Sequence, residues 1–166
     1  MSSKPRRMLP LLLLAVPAFA IAGTLVLVLL SRSPGEVGVV EGALRPCPDK
    51  PNCVCSTATD ERHAIEPFAL DAADPVAAFA RLVTVASEQG DAALVTQEEG
   101  YAHLVFTTPL LRFQDDVELL LDEEGARAHV RSASRVGHSD LDANRMRINA
   151  LRKAWEGAES STGSGD

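Results

Sequence analysis

The chain has 166 residues and a formal net charge of −7, with 46% hydrophobic and 23% charged residues. That length holds one folded domain and little besides. The acidic balance makes nucleic acid and anionic membrane surfaces poor partners, and no nucleic-acid role is expected.

Residues 1–7 contain Lys4, Arg6 and Arg7 and no acid, and residues 8–30 contain no charge. As a helix, the uncharged run rises roughly 35 Å, against a hydrocarbon core of about 30 Å. Positive charge stays in the cytoplasm. The pattern predicts a cytoplasmic segment over 1–7, a transmembrane signal-anchor over 8–30 and a domain outside the cytoplasm, in the periplasm or at the cell surface. The rival reading is a cleaved signal peptide, with Ala18-Phe19-Ala20 as the cleavage signal. The run continues to Leu30, past the usual apolar region of about 7–15 residues. Both readings export the domain. Residues 31–42, with glycines and no clear period, read as a tether.

The stretch CPDKPNC, residues 47–53, places two cysteines around two prolines, and Cys55 follows. In an oxidising compartment, close cysteines form disulfides. A bond between Cys47 and Cys53 is expected, with Cys47–Cys55 as the alternative. Cys47, Cys53, Cys55 and His63 could also be drawn as a zinc site, but the spacing is not that of a standard knuckle. No metal and no cofactor are expected.

A short strand is predicted within 63–70. Asp74-Pro75 then opens a helix, with Asp74 as cap and Pro75 at the first helical position. Val76, Phe79, Val83 and Ala86 form its apolar stripe, and Gly90 follows. Four strands come next, over 92–97, 101–107, 116–121 and 127–132, joined by tight turns. A last helix is predicted from near Ser139, capped by Ser139 and Asp142, with Leu141, Ile148, Leu151 and Trp155 on one stripe. The folded domain spans 43–157, and 158–166 reads as a disordered tail. The fold class is α+β: one antiparallel sheet in the order strand, helix, four strands, helix, both helices on one face, preceded by one transmembrane helix.

Period two divides the strands into faces. Ala102, Leu104, Phe106, Val117, Leu119, Leu121, Ala128 and Val130 form the core face. Tyr101, His103, Val105, Thr107, Asp116, Glu118, Leu120, Arg127, His129 and Arg131 form the other. A turn centred on Glu123-Glu124 would set Glu118 opposite His129 and Asp116 opposite Arg131. The plainer reading of that face is a solvated surface with cross-strand ion pairs. The functional reading is a polar recognition surface.

The segment SASRVGHSDLDANRMR, residues 132–147, adds Arg135, Asp140, Asn144 and Arg147. Asn144 falls on the buried stripe and needs partners, sought in the 107–115 loop. Asp140, Asp142 and Asn144 imitate a calcium loop, but Arg145 stands where its glycine belongs. No glycine-flanked nucleophile elbow occurs.

Three blocks, CPDKPNCVCS (47–56), RFQDDVELLLDE (112–123) and VRSASRVGHSDLDANRMRINALR (130–152), resemble the family known as domain of unknown function 1499. The resemblance spans about residues 44–155. It implies no activity, but family members are often membrane-anchored in bacteria or found in plastids. The family pattern C-P-x-x-P-N-C-V-S-S matches Cys47, Pro48, Pro51, Asn52, Cys53 and Val54, while Cys55 replaces a serine. An aromatic residue usually stands at His138 and a glycine at Asp142, which argues against an essential role for either.

The expected function is a membrane-tethered extracytoplasmic binding or scaffold module that catalyses nothing. Its partner is an unidentified small molecule or protein, besides the membrane engaged by 8–30. The alternative is a carboxylate-dependent hydrolase of the cell envelope. The candidate polar site comprises Asp115, Asp116, Glu118, Arg131, Arg135, Asp140, Asn144 and Arg147. An enzyme should gather two of the carboxylates in a pocket, whereas a scaffold should engage them with arginines and backbone amides.

Overall fold

Alternating apolar residues along four consecutive strands build the centre of the molecule. The computed structural model describes residues 8–162, with side chains from 15 to 161. The central strands are β5 (Ala92–Glu98), β6 (Tyr101–Thr107), β7 (Gln114–Asp122) and β8 (Arg127–Ser134), each antiparallel to the next. Two short strands, β3 (Cys53–Cys55) and β4 (Phe68–Ala69), pair with the free edge of β8 near its two ends. The sheet therefore has six strands, not five. Strand β3 escapes sequence reading because three residues are too few to show a period. A separate two-stranded ribbon, β1 (Val39–Val40) with β2 (Ala43–Leu44), precedes it.

Helix α2 (Pro75–Ser87) starts as its sequence dictates: the Asp74 carboxylate accepts the Ala77 amide and Pro75, lacking an N–H, needs no acceptor. Its residues Phe79, Leu82 and Val83 meet Ile148, Leu151 and Trp155 of α3 (Ala143–Thr162) over one sheet face. That face carries Ala102, Leu104, Phe106, Val117, Leu119, Ala128 and Val130, all buried, with Leu121 partly covered at the margin. Each large side chain so buried contributes about 1.5–3 kcal/mol. Val76 departs from the expected stripe and is exposed.

Helix α3 begins at Ala143, later than expected. Leu141 and Asp142 adopt left-handed φ values of 54° and 64°, which no helix can include. Asp140 is the effective cap, accepting the Asn144 amide, while the Ser139 hydroxyl accepts the Leu141 amide. The Ser139–Asp142 capping box does not form, and Leu141 projects into solvent. Residues 158–162, expected in a disordered tail, extend α3, while 163–166 lie outside the described residues. A left-handed aspartate is strained where glycine is not. Asp142→Gly should therefore raise stability by about 0.5–1 kcal/mol, read from the denaturation midpoint.

The β7–β8 register differs from expectation by two residues. The turn occupies 123–126, with Ala126 at φ 45°, so Glu118 lies opposite Arg131 and Asp116 opposite Ala133. Asp122 holds this turn, accepting from the Gly125 amide and the Arg127 guanidinium. The division into faces is unaffected, because a shift of two preserves parity.

The N-terminal part requires two corrections. Helix α1 (Met8–Ser31) forms, but among the described residues no helix is long and apolar enough to cross a membrane. Its last turn is also docked on the domain: the buried Ser31 hydroxyl accepts the Gln114 amide and the Ser31 carbonyl accepts from Arg135. The transmembrane helix expected over 8–30 is therefore not part of this fold. The basic residues of 1–7 lie outside the described residues. Residues 31–42, expected as a tether, lie instead across the second face of the sheet. Gly38 donates its amide to Glu118 and the Glu36 carbonyl accepts from Arg131. A chain with no apolar period can still pack when the face beneath it offers carboxylates and guanidinium groups.

Candidate functional site

Under residues 31–42 the second sheet face holds a buried layer of charge. Tyr101, His103, Asp116, Glu118 and Arg131 are each at most 9% exposed, so the solvated surface expected here is absent. Three ion pairs organise the candidate residues.

Asp116 pairs with Arg135 through both prongs: Nε donates to Oδ2 at 2.9 Å and Nη2 to Oδ1 at 2.7 Å. The His103 Nε2 lies 2.7 Å from the same Oδ1. Burial alone would push the Asp116 carboxyl up, but the bonds from His103 and Arg135 outweigh it and hold it below the usual carboxylate range. Gly35 backs directly onto this carboxylate, where any β-carbon would collide with Oδ2. Arg135 also donates to the Gln114 side chain at 2.7 Å.

Glu118, fully buried, pairs with Arg131 Nη1 at 2.9 Å and accepts from the Tyr101 hydroxyl and the Gly38 amide. Burial, reinforced by the nearby Glu118 charge, pushes the Tyr101 phenol up, so it stays a donor. Asp115 points to the other face and pairs with Arg147, whose guanidinium lies 5.1 Å from the Phe106 ring centroid.

Asn144 joins the pairs to the helix side. Its Oδ1 accepts from the Ser132 hydroxyl and from Arg147, and its Nδ2 donates to the Asn52 carbonyl, Ser134 Oγ and Asp140 Oδ2. It is fully buried as expected, but its backbone partner is Asn52, not the 107–115 loop. Asp140 makes no ion pair among the described residues and serves as the cap. Asp116, Glu118, Arg131 and Arg135 thus gather at the second face, and Asp115, Asp140, Asn144 and Arg147 on the helix side.

The disulfide joins Cys47 to Cys53, with Cα atoms 5.7 Å apart. Cys55 is free and buried, its Sγ 3.1 Å from Thr57 Oγ1. His63 uses both ring nitrogens, on Asp60 and on the Lys50 carbonyl. A zinc set from these four residues is thus dismantled by partners already in place. Peptide mapping without reductant should recover Cys47 linked to Cys53. Reduction of so short a loop should cost about 2 kcal/mol, measured by denaturation with and without reductant.

The disulfide loop, residues 35–36 and the end of β8 enclose a cavity of about 390 Å³. Asp116, Arg131 and Arg135 border it, together with Arg45, Lys50 and Asn52. The last three were not among the candidates. Asn52 had a signal in the motif around the cysteines, whereas Arg45 and Lys50 had none, since only the folded-back loop brings them here.

The family model described as "Protein of unknown function (DUF1499)" matches residues 43–155. No curated protein and no solved structure matches the chain.

Proposed function

The chain belongs to the family of proteins of unknown function DUF1499, and from that premise we propose that it is a non-catalytic binding or scaffold module acting outside the cytoplasm. The observation that carries this reading is the fate of the carboxylates. Asp115, Asp116 and Glu118 are each held by an arginine. A two-carboxylate hydrolase needs a pair of free carboxyl groups flanking its substrate, one of them able to give up a proton. Of these three, Asp116 alone borders the cavity, and its lowered pKa makes it a poor acid. The extracytoplasmic setting is supported by the disulfide, because cytosolic thiols are kept reduced.

The test is mass spectrometry, under native conditions, of the full chain isolated from its own compartment. The expected result is a bound small molecule or protein that is recovered chemically unchanged after prolonged incubation. Conversion of the bound molecule, abolished by Asp116→Asn in a protein that still folds, would establish the hydrolase instead.

A further inference from the structure

Two buried side-chain polar atoms among the described residues have no hydrogen-bond partner, Asn52 Oδ1 and Arg131 Nε. Both residues border the same cavity of about 390 Å³. The orientation of the Asn52 amide is settled by its other end. Nδ2 faces the carbonyls of Gly137 at 3.1 Å and Ser134 at 3.5 Å, so it must be the nitrogen and the unmatched atom must be the oxygen. Arg131 is tied by Nη1 to Glu118 and to the Glu36 carbonyl, and of its other nitrogens Nε is the one buried without a partner. The walls of the cavity thus hold an unmatched acceptor and an unmatched cationic donor. Leaving either group buried and unmatched is costly, and a ligand offering the converse groups removes that cost.

Charge narrows the choice. The lining holds Arg45, Lys50, Arg131 and Arg135 against Glu36 and Asp116. Arg135 neutralises Asp116, and Glu118 neutralises Arg131. Arg45 and Lys50 stand exposed and make no ion pair among the described residues. On a chain of net charge −7, this is a local cationic opening.

We propose that the cavity between the disulfide loop and the end of β8 binds a small oxyanion that carries an adjoining hydroxyl. The oxyanion faces Arg131 Nε and the rim cations Arg45 and Lys50, and the hydroxyl donates to Asn52 Oδ1. Phosphates that retain a P–OH and α-hydroxy carboxylates share this chemistry. Sulfate and simple carboxylates lack the donor. This ligand class rests on the binding-module reading above.

The test is titration calorimetry of the full chain near neutral pH and at fixed ionic strength, with four probes: inorganic phosphate, sulfate, glycolate and acetate. Phosphate should bind about tenfold tighter than sulfate, or glycolate about tenfold tighter than acetate, the value of one well-made hydrogen bond. Which pair shows the gap distinguishes a phosphate from a hydroxy acid. Arg45→Ala combined with Lys50→Ala alters exposed side chains, so the melting temperature should hold while the favoured probe loses about tenfold or more. Equal affinity within both pairs would overturn the role of Asn52. Undiminished binding in the double variant would overturn the orientation. If no probe binds while native mass spectrometry still recovers a neutral or cationic molecule, the ligand class fails and the binding module stands. If neither experiment finds a ligand, both fail.

Discussion

Asp116→Ala is expected to destabilise the folded protein by about 3–5 kcal/mol, the cost of breaking a buried ion pair on one side. Asp116 is 2% exposed and the Arg135 side chain 7% exposed. Truncation leaves the guanidinium and the His103 ring without the carboxylate that both contact. Chemical denaturation should show the loss as a lowered midpoint with little change in slope. A change below about 1 kcal/mol would mean that the pair behaves like a surface contact. The pH dependence has a fixed sign. The folded pKa of Asp116 lies below its unfolded value, so its contribution is complete above the ordinary carboxylate pKa of about 4. It declines as the pH falls below that value and is gone once the pH passes the lower folded pKa. Asp116→Asn should therefore flatten the acid limb of the stability curve and leave its neutral part parallel to that of the parent.

Asn144→Leu is expected to be nearly as severe, about 3–5 kcal/mol, although leucine fits a helix well. The amide satisfies the Ser132 hydroxyl, Arg147, the Asn52 carbonyl, Ser134 and Asp140 at a fully buried position. Each buried group left unmatched costs about 1–3 kcal/mol, and relaxation recovers part of the sum. The Asn52 carbonyl also accepts the Ser134 amide, so the change should loosen the junction of β3 with β8. Amide hydrogen exchange should show lost protection at Ser134 before the β6–β7 ladder is affected. A fully stable Asn144→Leu protein would mean that apolar packing replaces the network at no cost.

The structural role of Asp116 and Asn144 follows from their surroundings, which the sequence showed only in part. Asn144 betrayed itself as an amide on an apolar stripe. Asp116 was placed correctly on the face away from the helices, but that face was taken to meet solvent. The difference lies in residues 31–42, whose glycines and lack of period gave no hint of packing. Gly35 explains the composition after the fact: only a residue without a side chain can pass so close to the Asp116 carboxylate.

Local rules determined much of the fold. The alternation of 101–107, 116–121 and 127–132 sorted core from non-core, because a strand has only two sides. Asp74-Pro75 started α2, because capping is a contact within one turn. The closeness of Cys47 and Cys53 marked their bond, and three sequence blocks marked the family. Tertiary structure alone decided the rest. The partners of each arginine depended on a turn whose register moved by two residues, and two residues along a strand are about 7 Å. The attachment of the end of α1 to the domain depended on Ser31 docking against β7. The cavity depended on the disulfide loop reaching the end of β8, which brings Asn52 and Arg131 together from positions far apart in the chain. Contacts between distant segments are set by the free energy of the whole packed domain, and no short window of sequence contains it.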